Sequence, residues 1–322
     1  MFDFQIQKRS IPTIFEYQQL WDVLIVGGGP SGLNAALYAQ RKGLKVAIIS
    51  KEIGGQLHNT STVDNYLGIP MTEGKDLSAL FLKHLEQLNV PIYLDALVQT
   101  ITKTKEGFSL HLENGTVLKS KTVLLSTGGK PNQLNIPGEH TFANKGVSYC
   151  TTCDAPFFKN KNVVVAGGGN SAAEAVIDLS AWAHHITVVH RSQWRADAII
   201  LERLKKIPNL TIYLEHQLLS VEGKTMMEGV WMLEKATQKK HYVKADGLFI
   251  QIGLLANSQL VKDLVKLTPK GDVIVDDQWM TSVPGLFACG DVTHHPFKQI
   301  VIAVGDGAKA ALAIQQYLIH HS

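Results

Sequence analysis

Short apolar runs, glycine-rich turns and amphipathic segments follow one another twice along this chain. The apolar run Trp21–Val26 precedes the turn "GGGPSG", then "LNAALYAQRKG" has the apolar spacing of a helix, and "LKVAIIS" (44–50) predicts a parallel strand. Asn162–His190, "NVVVAGGGNSAAEAVIDLSAWAHHITVVH", repeats the same order. We therefore predict an α/β protein with two Rossmann-like dinucleotide-binding domains, each with three layers around a parallel sheet.

Both glycine turns have the spacing of a dinucleotide-binding fingerprint. The first is Gly27–Gly32, and the second is Gly167–Ala172, where alanine takes the third glycine position. A glycine turn between a strand and a helix lets backbone N–H groups and the positive helix end approach a pyrophosphate. Two such turns, about 140 residues apart, predict two bound nucleotides.

The remaining apolar runs predict how the two domains are joined. "KTVLLSTGG" and "ADGLFIQIGL" predict closing strands of the first and second domains, and "DVIVD" (272–276) and "VPGLFACGDV" predict further strands. An apolar helix from about Gln299 to Leu318 follows without a glycine turn of its own. This last section therefore returns to the first domain in our interpretation.

These assignments give a first domain interrupted by the second. We place the first domain at 1–129 and 254–322, with a short N-terminal extension at 1–20, and the inserted domain at 130–253.

Bulk composition excludes several classes of protein. The chain has 322 residues, a net charge of +3 and three cysteines. It has no apolar run of about 18 residues and no secretory signal at its start, so we expect a cytoplasmic protein without a membrane span. The small charge does not favour nucleic acid, and three cysteines argue against a disulfide framework.

Residues after the second strand of each domain bear on nucleotide choice. In the first domain this position is near Ser50 and Glu52, an imperfect match to the acidic residue that usually holds a ribose. "GGQL" (54–57) and "VDNYLG" (63–68) follow; they suit either a flat polar ring system or an ordinary turn-rich loop.

The corresponding strand end of the second domain is basic. His190, Arg191 and Arg195 stand where an acidic residue would hold a 2′-hydroxyl. A guanidinium fork suits a phosphate dianion, so this pattern favours NADPH over NADH. A solvated basic start of a helix is the alternative.

The segment "YCTTCDAPFF" (149–158) contains two of the three cysteines. A closed zinc site needs two further ligands, and Cys289 has no histidine pair with ligand spacing near it. A structural disulfide in so short a loop would constrain little. We therefore predict a dithiol/disulfide centre without a metal, with Asp154 as either a helix cap or a proton-exchanging group, and a buried Cys289.

Seven motifs together resemble one family over the whole chain after about Trp21. "GGGPSG", "GGQL", "CTTCDAPFF", "GGGNSAAEA", "HRSQWRAD", "FIQIG" and "GLFACGDV" have the order and spacing of low-molecular-weight thioredoxin reductases. The resemblance implies FAD on the discontinuous domain, NADPH on the inserted domain beside the CxxC motif, a homodimer, and thioredoxin or a similar protein as electron acceptor.

The resemblance also implies roles for individual residues. Cys153 would contact the flavin, Cys150 would attack the partner disulfide, and Asp154 would be the acid. Gly27, Gly29 and Gly32 would face the FAD pyrophosphate, Gln56 and Asn65 the flavin, Asp291 the ribityl chain and Gln299 the isoalloxazine. The expected FAD set also includes Pro30, Ser31, Gly55, Leu57, Thr127, Gly128, Gly290, Lys298 and Ile300, and the NADPH set is Gly167, Gly169, Asn170, Ser171, Ala172, His190, Arg191, Arg195, Ile252 and Gly253.

Some motifs are similar to a sister branch. "FIQIGLLANS" and "KQIVIAVGDGAKAAL" (298–312) resemble the flavoprotein component of alkyl hydroperoxide reductase, which carries an additional N-terminal disulfide-relay domain, so this chain resembles its reductase core. Ser192 also departs from thioredoxin reductases, which usually have a second arginine there. Open alternatives are a reductase serving a peroxidase, an NAD(P)H oxidase, a redox-sensing binding module and a ferredoxin-linked relative.

The resemblance finally implies motion. The nucleotide and the CxxC motif belong to one domain, yet both must reach the same flavin, and one rigid arrangement does not allow this. We expect a domain rotation with hinges near Gly129–Pro131 and Gly253–Ala256.

Overall fold

A computed structural model describes residues 19–321 of the chain. The expected N-terminal extension at 1–20 lies outside the described residues except for its last two. The chain divides into two compact units. Unit 2 is Pro131–Leu254, and unit 1 comprises the described residues before and after it, up to Lys130 and from Leu255.

Unit 1 is built around a sheet of seven strands in the order β3-β2-β1-β6-β5-β4, with β17 also paired to β6. Strands β2, β1, β6 and β17 are parallel, and β4–β5 and β5–β6 are antiparallel pairs. The strands are β1 Leu20–Gly28, β2 Val46–Ile53, β3 Ile92–Tyr93, β4 Val98–Thr104, β5 Gly107–Leu112, β6 Val117–Leu125 and β17 Leu286–Ala288.

Both faces of this sheet are buried. Alternate residues of β1 point to opposite faces, so Val23 and Ile25 join one hydrophobic cluster and Leu24 and Val26 join another. Alanines of two long helices cover the face of Val23 and Ile25. The helices of this unit are α1 Pro30–Arg41, α2 Gly74–Glu86 and α6 Ile300–His321, with 3-10 helices at Gly55–Asn59, Gln259–Val261 and Gly290–Val292.

Unit 2 has a parallel five-stranded sheet in the order β11-β10-β9-β15-β8 and an antiparallel sheet in the order β12-β13-β14. Its strands are β8 Val147–Ser148, β9 Asn162–Ala166, β10 His185–His190, β11 Leu210–Leu214, β12 His216–Gly223, β13 Met227–Glu234, β14 Lys240–Lys244 and β15 Gly247–Ile250. Its helices are α3 Thr151–Asp154, α4 Asn170–Ser180 and α5 Ala198–Leu204, with a 3-10 helix at Ala155–Phe158.

Unit 2 is also layered. Val163 and Val165 of β9 pack with the alanines of α4, whereas Val164 packs with Val230 and Met232 of the antiparallel sheet. The parallel sheet is therefore covered by helices on one face and by a second sheet on the other. The predicted α/β class with two Rossmann-like, three-layer units is confirmed.

Two short strands join the units and pair with each other, β7 Gly129–Pro131 and β16 Leu254–Ala256. One predicted strand is wrong. The segment 272–276 forms no ladder, and its Val273 makes only isolated bridges, to Leu267 and Thr293. Within residues 19–321, no helix has the length and apolarity that crossing a membrane requires.

Candidate active site

The first glycine turn joins β1 to α1 in unit 1. Gly27 has a φ of +116°, and a Cβ on it would lie 2.3 Å from the carbonyl oxygen of Ser126. A Cβ on Gly32 would lie 2.1 Å from the carbonyl oxygen of Gly27. Gly29 differs, because no described residue other than its chain neighbours has an atom within 4 Å of the position of its Cβ. The turn is therefore tight on its inner side and open at Gly29.

The start of α1 is suited to an anion. Gly29 is its N-cap and provides no side-chain cap, Pro30 takes the first helical position, and the first turn contains no acidic residue. Unsatisfied N–H groups and the helix dipole favour negative charge at such an end. Ser50 lies within β2, three residues before the strand ends, and its Oγ accepts a hydrogen bond from the N–H of Gly28 at 2.9 Å, so its role here is to hold the turn.

The residues expected beside the flavin form hydrogen-bonded pairs in unit 1. Asn65 Nδ2 donates to Gln299 Oε1 at 3.1 Å, although the two residues are 234 positions apart. Gln56 Nε2 donates to the carbonyl oxygen of Gly129. Thr127 Oγ1 donates to the carbonyl oxygen of Asn257 at 2.7 Å, and sequence reasoning missed Asn257. The other expected residues of this set include Gly55 in the 3-10 helix, Leu57 and Ile300 in an adjoining hydrophobic cluster, and Gly128 with a φ of +66°.

A partly buried charged group lies where β17 ends and α6 begins. Burial raises the pKa of Asp291, and Asp306 raises it further while Lys298 lowers it. Lys298 Nζ donates to the carbonyl oxygen of Thr293 at 2.6 Å. Gly290 has a φ of +71°, and a Cβ there would lie 2.7 Å from Ser31 Oγ. The first glycine turn and the "GD" motif are therefore in contact.

Asp306 was missed by the sequence analysis. It is buried on α6, its carboxylate accepts a hydrogen bond from the N–H of Gly290, and burial raises its pKa. Cys289 is buried as predicted, and burial together with Asp306 raises the pKa of its thiol. A carboxylate inside an apolar helix, "IVIAVGDGAKAAL", was the signal that could have identified Asp306.

The second glycine turn, in unit 2, has the same construction. Gly167 has a φ of +146°, and a Cβ on it would lie 2.3 Å from the carbonyl oxygen of Gln251. Apart from its chain neighbours, no described residue has an atom within 4 Å of the Cβ position of Gly169, which is the N-cap of α4 and provides no side-chain cap. Ala172 is fully buried against the turn, so alanine fits the third position. Ser171 is exposed on the first turn of α4.

The basic segment after β10 folds back onto this turn. Arg195 N–H donates to the carbonyl oxygen of Gly168 at 2.7 Å. Asn170 and Asp197 exchange two hydrogen bonds of 2.9 Å, so Asn170 fixes this segment from the start of α4. Arg191 and Arg195 are exposed. Their side chains are therefore accessible beside the uncapped helix end.

His190 is buried between the glycine turn and the arginines. A Cβ on Gly168 would lie 2.1 Å from the imidazole ring. Burial lowers the pKa of His190, and Arg195, Arg191 and Lys235 lower it further, so the ring is neutral at pH 7. The positive charge around His190 therefore comes from the two arginines and from Lys235. Sequence reasoning missed Lys235 because it follows β13, far along the chain from β10.

The cysteine pair forms a disulfide, Cys150–Cys153, at the start of α3 in unit 2. Cys150 is the N-cap of this helix, and its Sγ accepts a hydrogen bond from the N–H of Cys153 at 3.2 Å. Both cysteines are partly exposed. A helix N-terminus stabilises a thiolate, so reduction of this disulfide would leave a reactive sulfur.

Asp154 follows the disulfide at the end of α3. It is partly buried, and its Oδ2 accepts a hydrogen bond from Ser148 Oγ at 2.6 Å. Burial raises the pKa of Asp154, and the Ser148 bond opposes this only in part. Asp154 makes no side-chain cap, so the alternative role as a helix cap is not supported.

Gln251 links the second glycine turn to the disulfide helix. Its carbonyl oxygen packs against Gly167, and its Nε2 donates to Thr151 Oγ1 at 3.1 Å. The neighbouring Ile252 is exposed, and Gly253 has a φ of +102°. Gln251 therefore connects the second glycine turn to the helix that carries the disulfide, within unit 2.

The chain is similar to known disulfide oxidoreductases in both sequence and fold. The family model described as "Pyridine nucleotide-disulphide oxidoreductase" matches residues 21–307. A solved thioredoxin reductase from Streptococcus pyogenes MGAS5005 superposes with a TM-score of 0.88 at 36% identity, covering 94% of this chain and 99% of that one.

Curated relatives are longer. The F component of alkyl hydroperoxide reductase in Staphylococcus aureus (strain MRSA252) is 41% identical over 308 residues, which is 95% of this chain and 61% of that protein. "NADH dehydrogenase" of Bacillus subtilis (strain 168) is 40% identical over 308 residues, 95% of this chain and 60% of that protein. The chain thus spans about three fifths of the length of these relatives.

Proposed function

The chain belongs to the pyridine nucleotide-disulphide oxidoreductase family, and from this premise we propose an NADPH-dependent reductase of thioredoxin or a thioredoxin-like protein. Electrons would pass from NADPH through FAD and the Cys150–Cys153 disulfide to the partner. One observation carries the proposal: a partly exposed disulfide at a helix start lies in the same unit as a glycine turn flanked by two exposed arginines.

We assign FAD to unit 1, and its residues fit that cofactor. The uncapped start of α1 and the open side of Gly29 suit a pyrophosphate, while Asn65 and Gln299 provide amides for a polar ring. When bound, FAD would supply the two-electron link between the nicotinamide nucleotide and the disulfide. NADPH is assigned to unit 2, with Arg191 and Arg195 toward its 2′-phosphate.

The cysteines and Asp154 would then carry out thiol–disulfide exchange. Uptake of two electrons and one proton opens the Cys150–Cys153 bond to one thiolate and one thiol. Cys150 thiolate attacks the partner disulfide, forms a mixed disulfide and expels one partner thiolate. Cys153 gives its proton to Asp154, attacks Cys150 and releases the second partner thiolate. The partner gains two electrons, and two protons complete its dithiol.

Anaerobic stopped-flow reduction of the FAD-loaded protein by NADPH and NADH, followed by a panel of thioredoxins, tests the proposal. We expect Cys150→Ser and Cys153→Ser to keep flavin reduction by NADPH and to lose reduction of every thioredoxin. If these variants reduce a thioredoxin at the wild-type rate, the disulfide is not the exit for electrons. Full NADPH consumption in air by both variants would instead support an NAD(P)H oxidase.

The 41% identity to a component of alkyl hydroperoxide reductase favours a second candidate, a reductase that serves a peroxidase through a separate thioredoxin-like carrier. The same assay distinguishes the two. A peroxidase-linked enzyme would reduce thioredoxins slowly and would sustain peroxide turnover only when a carrier and a peroxidase are both added. A redox sensor would reach useful turnover with neither acceptor, and a ferredoxin-linked enzyme would not accept NADPH.

We also propose that the two units rotate during turnover about Gly129–Pro131 and Gly253–Ala256. Both segments are short, and Gly253, which has a φ of +102°, tolerates backbone change because glycine has no Cβ. A covalent cross-link that locks the units should therefore permit at most one half-reaction. Unchanged multiple turnover by the locked protein would refute the rotation.

A further inference from the structure

Three potential metal ligands lie at one edge of the antiparallel sheet of unit 2. His216 begins β12, Glu234 ends β13 and His241 is near the start of β14. One donor atom from each lies within 4.8 Å of the other two. The disulfide, the glycine turns and the arginines do not include any of the three, so this triad has no part in the proposed reaction.

Strand pairing puts the triad on one face of the sheet. Glu234 is two residues from Met232, so their side chains share a face, and Met232 is buried in the core between the two sheets. His216 is paired with Glu234, and His241 is paired with Met232. The triad therefore lies at the rim of the core, where His216 and Glu234 are partly exposed and His241 is exposed.

Two of the three side chains are held by further hydrogen bonds. His216 Nδ1 donates to the carbonyl oxygen of Leu214 at 2.6 Å. In the neutral ring, Nε2 therefore carries the lone pair that a metal ion could use. Thr237 Oγ1 donates to Glu234 Oε2 at 2.5 Å. Metal-binding histidines usually donate their other ring nitrogen to a carbonyl or carboxylate in this way.

The carboxylate also lies beside the second imidazole. His241 Nε2 lies 3.7 Å from Glu234 Oε2. An ion pair with a protonated imidazole would use the same contacts but would bind no metal, so direct binding distinguishes the two.

We propose that His216, Glu234 and His241 bind one divalent transition-metal ion of the Zn²⁺ type through two imidazole nitrogens and one carboxylate oxygen. This donor set is that of His₂Glu zinc sites, which keep further positions for water, and it disfavours Ca²⁺ and Mg²⁺. Ligands about 2.1 Å from zinc are about 3.4 Å apart, so donor atoms up to 4.8 Å apart must close by up to about 1.4 Å. His241 is exposed and free to make that movement.

Calorimetric titration with Zn²⁺, and with Co²⁺ followed by its visible absorption, tests the site. The protein should be FAD-loaded, free of any affinity tag and fully oxidised, so that Cys150 and Cys153 stay in the disulfide and offer no thiolate. The test variants are His241→Gln, whose side chain is exposed, and Glu234→Gln. His184→Gln, an exposed histidine elsewhere in unit 2, is the matched control.

We expect one saturable Zn²⁺ site per chain in the wild type and in His184→Gln, with affinity at least about tenfold lower in both triad variants. Saturating Zn²⁺ should raise the thermal midpoint of wild-type unfolding by about 5 °C and raise that of His241→Gln by clearly less. The proposal is overturned if the wild type has no saturable site, or if His241→Gln and His184→Gln bind Zn²⁺ equally.

Discussion

At the residue scale, burial of the Asp154 carboxylate costs stability but suits this group to proton exchange. Its carboxylate is partly buried beside the disulfide, with one hydrogen bond from Ser148 at 2.6 Å. Burial raises its pKa, so protonation is easier than for an ordinary aspartate. A group of this kind exchanges a proton closer to neutral pH, which is what a thiol–disulfide step requires.

The raised pKa gives a signed prediction for Asp154→Asn. A carboxyl group whose pKa is higher in the folded state stabilises the protein below its ordinary pKa and loses that contribution as pH rises through the raised value. Asparagine does not titrate, so the variant should be at least as stable as the wild type at pH 7 to 8. Its turnover with the protein acceptor should fall by about 100-fold. Thermal unfolding against pH and acceptor reduction measure the two effects.

Asp178→Asn is the matched control for this prediction. Burial raises the pKa of Asp178 on α4 as well, away from the disulfide. This variant should show the same direction of change in stability and keep full turnover. If turnover of Asp178→Asn fell as far as that of Asp154→Asn, the loss would not be specific to Asp154 as the proton-exchanging group.

The proposed preference for NADPH depends on two side chains. Arg191 and Arg195 are exposed next to His190, which is neutral at pH 7 because burial and both arginines lower its pKa. Replacing both arginines by alanine should lower kcat/KM for NADPH by about 100-fold, since a charge-assisted hydrogen bond contributes about 1.5–3 kcal/mol. Turnover with NADH should change little.

Arg203→Ala, an exposed arginine on α5, serves as the control and should leave both nucleotides unaffected. An equal loss for NADPH and NADH in the double variant would mean that the arginines do not contact a 2′-phosphate.

At the element scale, we expect substitutions at two glycines of the same turn to have different effects, one on stability and the other on nucleotide binding. Gly167→Ala should destabilise unit 2 by about 1–3 kcal/mol, because a φ of +146° and the carbonyl oxygen of Gln251 at 2.3 Å both oppose a side chain. The Cβ added by Gly169→Ala would contact no residue beyond the chain neighbours of Gly169, so this variant should fold normally. The same Cβ would stand where we place the pyrophosphate, so the KM for NADPH should rise at least about tenfold.

Chemical denaturation and steady-state kinetics check this pair. Gly27 and Gly29 repeat the test in unit 1, with retention of FAD as the binding measurement. Normal nucleotide binding by Gly169→Ala would place the pyrophosphate elsewhere.

The elements predicted well are those specified by neighbouring residues. A strand, a glycine turn and a helix occupy about 20 consecutive residues, and their periodicity is local, so both β–turn–α units were predicted. The antiparallel sheet β12–β14 and the triad of His216, Glu234 and His241 were not, because strand pairing brings together residues far apart in sequence. No spacing rule for metal ligands covers such an arrangement.

The error at 272–276 has a related cause. Val273 and Val275 are buried on alternate positions, which is the pattern of a strand, but the ladder that would define one is absent among the described residues. Burial alternation reports which side faces the core, and it does not report a hydrogen-bonding partner. Asp306 and Gln251 were missed because their importance lies in contacts with distant backbone atoms.

At the scale of the whole molecule, each hydrophobic cluster belongs to one unit. The two clusters on the sheet of unit 1 contain no residue of 131–254, and the two clusters of unit 2 contain no residue outside it. Since burial of apolar area provides most of the stability, each unit has its own core to unfold. We therefore expect the backbone amides of the two units to lose protection from hydrogen exchange separately.

Two buried phenylalanines provide a matched test of this independence. Phe249 in unit 2 packs edge-on against Phe158, and Phe287 in unit 1 packs edge-on against Tyr317. Replacing either by alanine should destabilise its own unit by about 3–5 kcal/mol through lost burial and a residual cavity. Hydrogen exchange followed by mass spectrometry should show faster exchange in unit 2 for Phe249→Ala and in unit 1 for Phe287→Ala. Equal acceleration in both units by either variant would show that the molecule unfolds as one cooperative body.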